Sequence, residues 1–206
     1  MGLRPSQARR PLTIGIDARA AMEVKAGRGR VVRELLRALA ERDDPHVYRC
    51  YARDRWPEQL DARFHWELIA ARDPWWHART AAAASRECDV FLSSNSYLTV
   101  ILTRAPAVAI VYDLTTFDRA MGPNLRSMVV ERLTLGASVR RARGLLCISQ
   151  TTADELLKRF PAAAAKVTIV PLAVAPVLTR PRTEELTGLP PPGFVLAVGT
   201  LEPRKN

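Results

Sequence analysis

The sequence predicts an α/β protein with an open, mostly parallel sheet and helices on both faces. Short continuous apolar runs, such as residues 107–112, are typical of strands that are buried on both faces of a parallel sheet. Longer segments alternate with them, and in the first of these the apolar residues recur at i, i+3, i+4 and i+7 from Val32, which is helical spacing. This alternation is typical of βαβ units.

The same patterns define the individual elements. Strands are predicted at residues 12–17, 47–52, 64–70, 89–92, 107–112, 145–148 and 167–170, and helices at about 29–42, 75–87, 124–143 and 149–160. Their order indicates a sheet of Rossmann type. Trp75 and Trp76 cannot share one helix face, so one should pack and the other should be exposed. Ser149 and Thr152 are both candidate caps for the last helix, and Thr152 with Glu155 fits a capping box.

The chain is predicted to hold one complete domain and the start of another. Residues 1–11 are interpreted as a disordered leader, 12–178 as a Rossmann-like domain and 179–192 as a proline-rich linker. Residues 193–206 contain an apolar run, 194–198, followed by a polar loop with Arg204 and Lys205. Because a buried parallel strand needs neighbours and covering helices, this stretch is expected to begin a second domain that is truncated here.

Composition excludes several classes of protein. No apolar run is long enough for a membrane helix, and the basic amino terminus lacks the apolar core of a secretory signal, so a cytoplasmic location is expected. The net charge is +10 and comes mainly from arginine, which suits phosphates, nucleotides and anionic lipid; a general bias toward Arg and Ala is the alternative explanation. No nucleic-acid motif occurs and no aromatic residues alternate with the basic ones, so nucleic acid is not expected as a partner.

The cysteines favour neither a metal site nor a disulfide framework. Cys50, Cys88 and Cys147 lie far apart and no C-x-x-C pair occurs. They are interpreted as reduced, buried thiols. The sequence shows no cluster of metal ligands, and no metal is expected.

Two features suggest a binding site at the ends of strands. Gly27 and Gly29, with Arg28 and Arg30, precede a predicted helix, where glycines allow a phosphate or a sugar to approach backbone N–H groups. A plain flexible turn is the alternative interpretation. Asp113 follows a predicted buried strand, at the edge where α/β folds bind ligands, although a turn or N-cap role explains it equally well.

Several stretches together resemble family 4 glycosyltransferases of the GT-B type, which have two Rossmann-like domains. The resemblance is carried by residues 14–19 with Gly27 and Gly29, by 89–95, by 111–115, by 147–150, by 166–172 and by 198–206. The last stretch, Val-Gly-Thr-Leu-Glu-Pro-Arg-Lys-Asn, is similar to the first strand and donor loop of the second domain in the mannosyltransferase-like branch. The order and spacing of these stretches carry the resemblance, which extends over residues 12–206.

The resemblance implies retaining transfer of a sugar, with mannose as one option, from a nucleoside-diphosphate sugar (a GDP- or UDP-sugar) to a hydroxyl of a glycan or lipid-linked acceptor. It implies that Asp113 lies in the acceptor cleft as a catalytic candidate, and that Arg204 and Lys205 contact the donor diphosphate. The substrate-binding residues that it implies are Gly27, Gly29, Arg30, Asn95, Tyr112 and Ser149. It implies no protein-bound cofactor. Tyr112 stands where the family usually has His, and a phenol is a poor base near neutral pH.

Two functions therefore follow as expectations. The first is the acceptor half of a glycosyltransferase, inactive without the missing second Rossmann domain, with peripheral contact with anionic lipid at the inner face of the membrane as an option. The second is a standalone Rossmann-like module that binds a glycan or anionic lipid, or pairs with a separate donor subunit. A third class, an epimerase on the same two-domain fold, fits the loops at Asp113 and at residues 202–206 less well.

Overall fold

The computed structural model describes residues 10–23, 27–94, 96–114, 125–173 and 193–195, with 125–131 as backbone. The strands in this part of the chain are β1 (Thr13–Asp17), β2 (Val47–Ala52), β3 (Phe64–Leu68), β4 (Val90–Ser93), β5 (Ala107–Val111), β6 (Gly144–Cys147) and β7 (Val167–Ile169). The helices are α1 (Gly27–Ala40), α2 (Trp75–Glu87), α3 (Tyr97–Leu102), α4 (Leu125–Arg141) and α5 (Gln150–Arg159). Short 3-10 turns occupy Arg19–Met22 and Pro161–Lys166.

The strands form one sheet in the order β3-β2-β1-β4-β5-β6-β7, and every neighbouring pair is parallel. This confirms the α/β Rossmann-like class; the described sheet is wholly rather than mostly parallel. The chain runs outward from β1 to β3 and then returns to β4, which pairs with β1 at Ile14↔Val90. The order therefore reverses between β1 and β4, and such a reversal is where open α/β sheets bind ligands.

Helices cover both faces of the sheet. Side chains alternate along a strand, so Cys50 and Tyr51 of β2 point to opposite faces, and they belong to different core clusters. The cluster of Cys50 contains Val32 and Leu36 of α1. The cluster of Tyr51 contains residues of the remaining helices, namely Trp76, Ala84, Val100, Leu135, Val139, Ala153 and Leu156. Helix α1 thus covers one face, and α2 to α5 cover the other.

Several local predictions can be compared with the structure. Trp76 is fully buried and Trp75 is 70% exposed, as expected for adjacent helical residues. The N-cap of α5 is Ser149, whose Oγ accepts a hydrogen bond from the Thr152 backbone N–H at 3.1 Å. The predicted capping box of Thr152 and Glu155 is therefore wrong.

The three cysteines are free thiols, as predicted. Cys50 and Cys147 are buried, but Cys88 is half-buried rather than buried.

Helix α3 was not predicted, because its sequence gives a weak helical signal. It contains Thr99, Val100 and Ile101, and β-branched residues lower helix propensity. Ser96 begins the helix by accepting a hydrogen bond from the Leu98 backbone N–H at 3.2 Å. A capping serine thus starts a short helix that the apolar pattern alone does not indicate.

The predicted leader, linker and second domain lie mostly outside the described residues. Of the predicted strand 194–198, the structure describes Phe194 and Val195, which are 46% and 95% exposed and belong to no strand. Residues 1–9, 174–192 and 196–206 are not described. Across the ranges that the structure does describe, no helix combines the length and the apolar character needed to cross a bilayer.

Candidate functional site

Polar residues collect where β1 and β4 end. Asp17 is the last residue of β1, and Ser94 follows β4 directly. The Ser94 hydroxyl donates to the carbonyl oxygen of Asp17, and both residues are fully buried. Because all strands are parallel, the ends of β2, β3, β5 and β6 lie along this same carboxyl edge. The edge is the candidate functional site.

A buried ion pair forms its centre. The Asp17 carboxylate has no exposed surface and accepts two hydrogen bonds from the Arg19 side chain, from Nε at 3.1 Å and from Nη2 at 3.0 Å. The Arg19 guanidinium also lies over the ring of Trp76, 3.7 Å from its centroid. A bidentate fork and an aromatic face together hold the arginine in one orientation.

Asp73 connects this pair to the next loop. Its Oδ1 accepts from Arg19 Nη1 at 3.4 Å and from Arg53 Nη2 at 2.9 Å, and His77 Nε2 lies 3.4 Å away from it. No hydrogen bond from the described residues reaches Oδ2, and the side chain is 56% exposed. One carboxylate oxygen is therefore occupied by arginine donors, while the other accepts nothing from the described residues.

His77 is buried in α2, and its neighbours define its tautomer. The Asp73 carboxylate, 3.4 Å from Nε2, favours the tautomer that carries its proton on this nitrogen, because a carboxylate only accepts. Nδ1 then accepts from the Thr99 hydroxyl at 2.8 Å, with the Ser96 hydroxyl at 3.2 Å. Burial, and next the charge of Arg19, lower the pKa of His77. The neutral imidazole thus links α2 to the start of α3.

Tyr112 follows β5 at the same edge. Its hydroxyl is shielded from solvent and has no hydrogen-bond partner among the described residues. Burial raises the pKa of Tyr112 to about 12; the charge of Arg28 opposes this shift, and those of Asp17 and Glu23 add to it. The phenol is therefore a neutral donor near neutral pH. Its backbone oxygen accepts from the Thr152 hydroxyl at 3.2 Å, which ties the end of β5 to α5.

The two glycines lie in the first turn of α1, not in a loop before it. A Cβ at Gly29 would stand 2.1 Å from the Glu23 carbonyl oxygen and 2.7 Å from that of Ala20, whereas a Cβ at Gly27 would meet nothing within 4 Å. Gly29 therefore allows the preceding backbone to pack closely, and the flexible-turn interpretation is wrong. Arg30 is exposed in the same turn.

Of the remaining predicted site residues, two lie near the carboxyl edge and three lie outside the described residues. Asp113 is exposed beside Tyr112 and is not the N-cap of α4, the next described helix, which begins at Leu125. Ser149 lies at the end of β6, but its hydroxyl is occupied by its cap and by Thr152 Oγ1 at 3.0 Å. Asn95, Arg204 and Lys205 lie outside the described residues.

A depression of about 330 Å³ opens beside the buried pair. Its walls come from the turn after β1, the loop after β2 and the loop before α2; the lining residues are Arg19, Met22, Glu23, Arg53, Asp54 and Asp73. Among the residues with described positions, no group of three or more His, Cys, Asp or Glu is placed to hold a metal ion.

The sequence profile of Glycosyltransferase Family 4 matches residues 26–177, which is most of the chain. The chain belongs to glycosyltransferase family 4. No curated protein matches the sequence. Membership of family 4 supports a glycosyltransferase-type function in general terms, on the Rossmann-like fold described above.

The matched range contains some of the residues at the carboxyl edge and leaves others out. The matched range includes α1, Tyr112 and Ser149, and it also includes Asp73 and His77, which sequence reasoning did not select. No sequence pattern indicated the latter pair, because Asp73 precedes the predicted helix 75–87 and the i, i+4 rule applies to residues within a helix. The pair of Asp17 with Arg19 precedes the matched range.

Proposed function

We propose that this chain forms the acceptor side of a retaining glycosyltransferase. The enzyme transfers a sugar, with mannose as one option, from a GDP- or UDP-sugar to a hydroxyl group of a glycan or a lipid-linked sugar. Family 4 membership supports the class of reaction. The single structural observation that carries the acceptor role is the Tyr112 hydroxyl, a donor without a described partner, beside Asp113 at the carboxyl edge.

Each residue at the edge has a proposed part. Tyr112 donates a hydrogen bond to an acceptor oxygen, since its raised pKa keeps it protonated. Asp113 accepts from the hydroxyl that is to be glycosylated and so orients it for attack. The amino end of α1, with Arg28 and Arg30, favours the negative diphosphate, because the positive end of a helix dipole points there.

The donor side is proposed to come from a second Rossmann-like domain that begins near residue 193. Arg204 and Lys205 would contact the donor diphosphate and stabilise the charge that develops on the leaving group. The reaction that we propose uses no protein-bound cofactor. The net charge of +10 is compatible with a cytoplasmic protein that contacts anionic lipid at the membrane surface.

Transfer can be measured with UDP- and GDP-hexoses that carry a radiolabel, a panel of glycoside and lipid-linked acceptors, and chromatographic separation of the products. We expect no labelled product from these 206 residues alone, and labelled product when a family 4 donor domain follows them. Retention is tested by the anomeric configuration of the product in NMR spectra.

In the active protein, Asp113→Asn should lower turnover at least tenfold, since an amide is a weaker acceptor of the hydroxyl proton. Asp154→Asn, at an exposed position in α5, is the matched control and should retain turnover. Transfer by the 206 residues alone would contradict the proposed division into two domains. An inactive but folded two-domain protein would contradict the transferase.

A further inference from the structure

The depression beside Asp17 and Arg19 has the features of a site for hydroxyl groups. Two arginine side chains donate to Oδ1 of Asp73, and His77 Nε2 lies 3.4 Å from it, so this oxygen is already satisfied. Oδ2 of the same carboxylate accepts nothing from the described residues. A carboxylate has about four acceptor positions, and an unused oxygen held in a fixed orientation is well suited to a hydroxyl donor.

Hydrogen bonds and one buried arginine hold part of the wall of the depression in place. Arg19 is 12% exposed in its side chain, paired with Asp17 and stacked on Trp76. Arg53 donates through Nε to the Ala71 carbonyl oxygen at 3.1 Å as well as to Asp73. A ligand would therefore meet Arg19, Arg53 and Asp73 in positions that their mutual contacts already hold, which lowers the entropy lost on binding.

The charge in the depression differs from that of the whole protein. The chain carries a net charge of +10, yet the lining carboxylates of Glu23, Asp54 and Asp73 outnumber the two lining guanidinium groups. Arg19 and Arg53 are both engaged by Asp73. The one excess negative charge of the described lining disfavours a phosphate or a carboxylate relative to a neutral ligand with several hydroxyl groups.

We propose that the depression binds a neutral sugar ring of the acceptor, through hydroxyl groups that donate to Asp73 Oδ2 and to the Asp54 carboxylate. Met22, which is 42% exposed, contacts the C–H face of the ring. The volume of about 330 Å³ lies at the lower end of the range for ligand pockets, about 300–1,000 Å³, and suits one ring rather than a long glycan. The inference rests on the proposed acceptor role of this chain.

The proposal can be tested by ¹H–¹⁵N NMR titration of the 206-residue chain. The neutral probes are the methyl glycosides of mannose, glucose and galactose; inorganic phosphate and glucosamine serve as the anionic and cationic probes. We expect at least one neutral glycoside to shift the amide signals of residues 19–23, 53–54 and 73. Inorganic phosphate should leave these signals in place.

Asp54→Asn and Asp73→Asn should each weaken binding of that glycoside at least fivefold, because each removes a charged acceptor. Asp43→Asn is the control, because Asp43 is exposed after α1, near the opposite edge of the sheet. This variant should bind the glycoside with the affinity of the unmodified chain. Asp54 has no hydrogen bond or ion pair with the described residues, so the Asp54→Asn variant should fold normally. If Asp73→Asn does not fold, the affinity of Asp54→Asn for the glycoside decides the test.

Unshifted amides with every neutral glycoside, or tighter binding of phosphate or glucosamine, would overturn the proposal. So would a glycoside affinity that Asp54→Asn leaves unchanged. This test is separate from the transfer assay. If the two-domain protein transfers sugar but these amides do not shift, only the proposal that the depression binds a sugar is refuted. If the amides shift but the two-domain protein transfers no sugar, only the proposed transferase function is refuted.

Discussion

His77 illustrates how the site is built residue by residue. Its ring contacts Asp73 on one side and Thr99 on the other, and it is 6% exposed. It therefore acts through Asp73 and through the start of α3, rather than by touching a ligand. A positioning residue of this kind should affect stability and its pH dependence.

Replacing His77 by Gln should lower the free energy of unfolding by about 1–3 kcal/mol, since the Thr99 hydroxyl loses its acceptor. The pKa of His77 in the folded protein lies below the unfolded value of about 6.5, so below that pH the unfolded chain binds a proton that the folded chain does not. The unmodified protein should then lose stability as the pH falls from about 6.5, and the variant should lose less.

Urea denaturation at pH 5.0, 6.0 and 7.5 measures this difference. His65→Gln is the matched control, because His65 is exposed on β3. The control should keep the pH dependence of the unmodified protein. If His77→Gln and the unmodified protein lose equal stability between pH 7.5 and 5.0, the assignment of a neutral, buried His77 is incorrect.

At the scale of elements, α1 depends on a close approach to the turn before it. Gly29 stands against the carbonyl oxygens of Ala20 and Glu23, which are backbone atoms and cannot rotate away. The same segment is held by Arg33, whose Nη1 donates to the carbonyl oxygens of Ala21 and Glu23 at 2.9 and 3.0 Å. The turn before α1 is thus fixed to the helix both by the close approach of Gly29 and by the hydrogen bonds of Arg33.

Gly29→Ala should therefore destabilise the protein by about 1–3 kcal/mol, because the backbone must shift to admit a methyl group. Gly27→Ala should stabilise it by about 0.5–1 kcal/mol, since the methyl group meets open space and alanine favours the helix. Urea denaturation of the two variants provides the comparison. Equal effects of the two substitutions would mean that the close approach at Gly29 does not exist.

The sequence predicted elements better than it predicted contacts. The strand at 47–52 and the helix at 75–87 have the predicted bounds, because each is defined by its own local pattern. Helix α3 lacks such a pattern. The Asp73 contacts could not be derived, because Arg19 precedes Asp73 by 54 residues and only the strand order brings them together.

At the scale of the whole molecule, the core contains protonated groups that resist ionisation. Burial raises the pKa of Cys50 to about 12. Burial, with the neighbouring Asp44 carboxylate, also raises the pKa of Tyr48 to about 12. Both lie in the cluster beneath α1. In the unfolded chain these groups lose their protons at lower pH, so the folded state binds more protons in alkaline solution and stability falls as the pH rises.

Cys50→Ala should make this alkaline loss smaller. Between pH 8 and pH 10 the unfolded thiol ionises while the buried thiol does not, which costs the unmodified protein about 1.5–2 kcal/mol from this group. Guanidinium denaturation at pH 8, 9 and 10 measures the slope. Val47→Ala, a non-titrating change in the same strand, should lower stability equally at each pH; an unchanged slope in Cys50→Ala would contradict the prediction.

The order of the strands also has a consequence for the newly made chain. Every buried residue of the cluster beneath α1 lies between Ile16 and Phe64, so its sequence is complete well before β4 begins at Val90. Until Val90 pairs with Ile14, one side of β1 has no neighbour. Strand β1, an interior strand of the finished sheet, is thus an edge strand in the nascent chain, and unpaired strand edges are where incomplete chains aggregate.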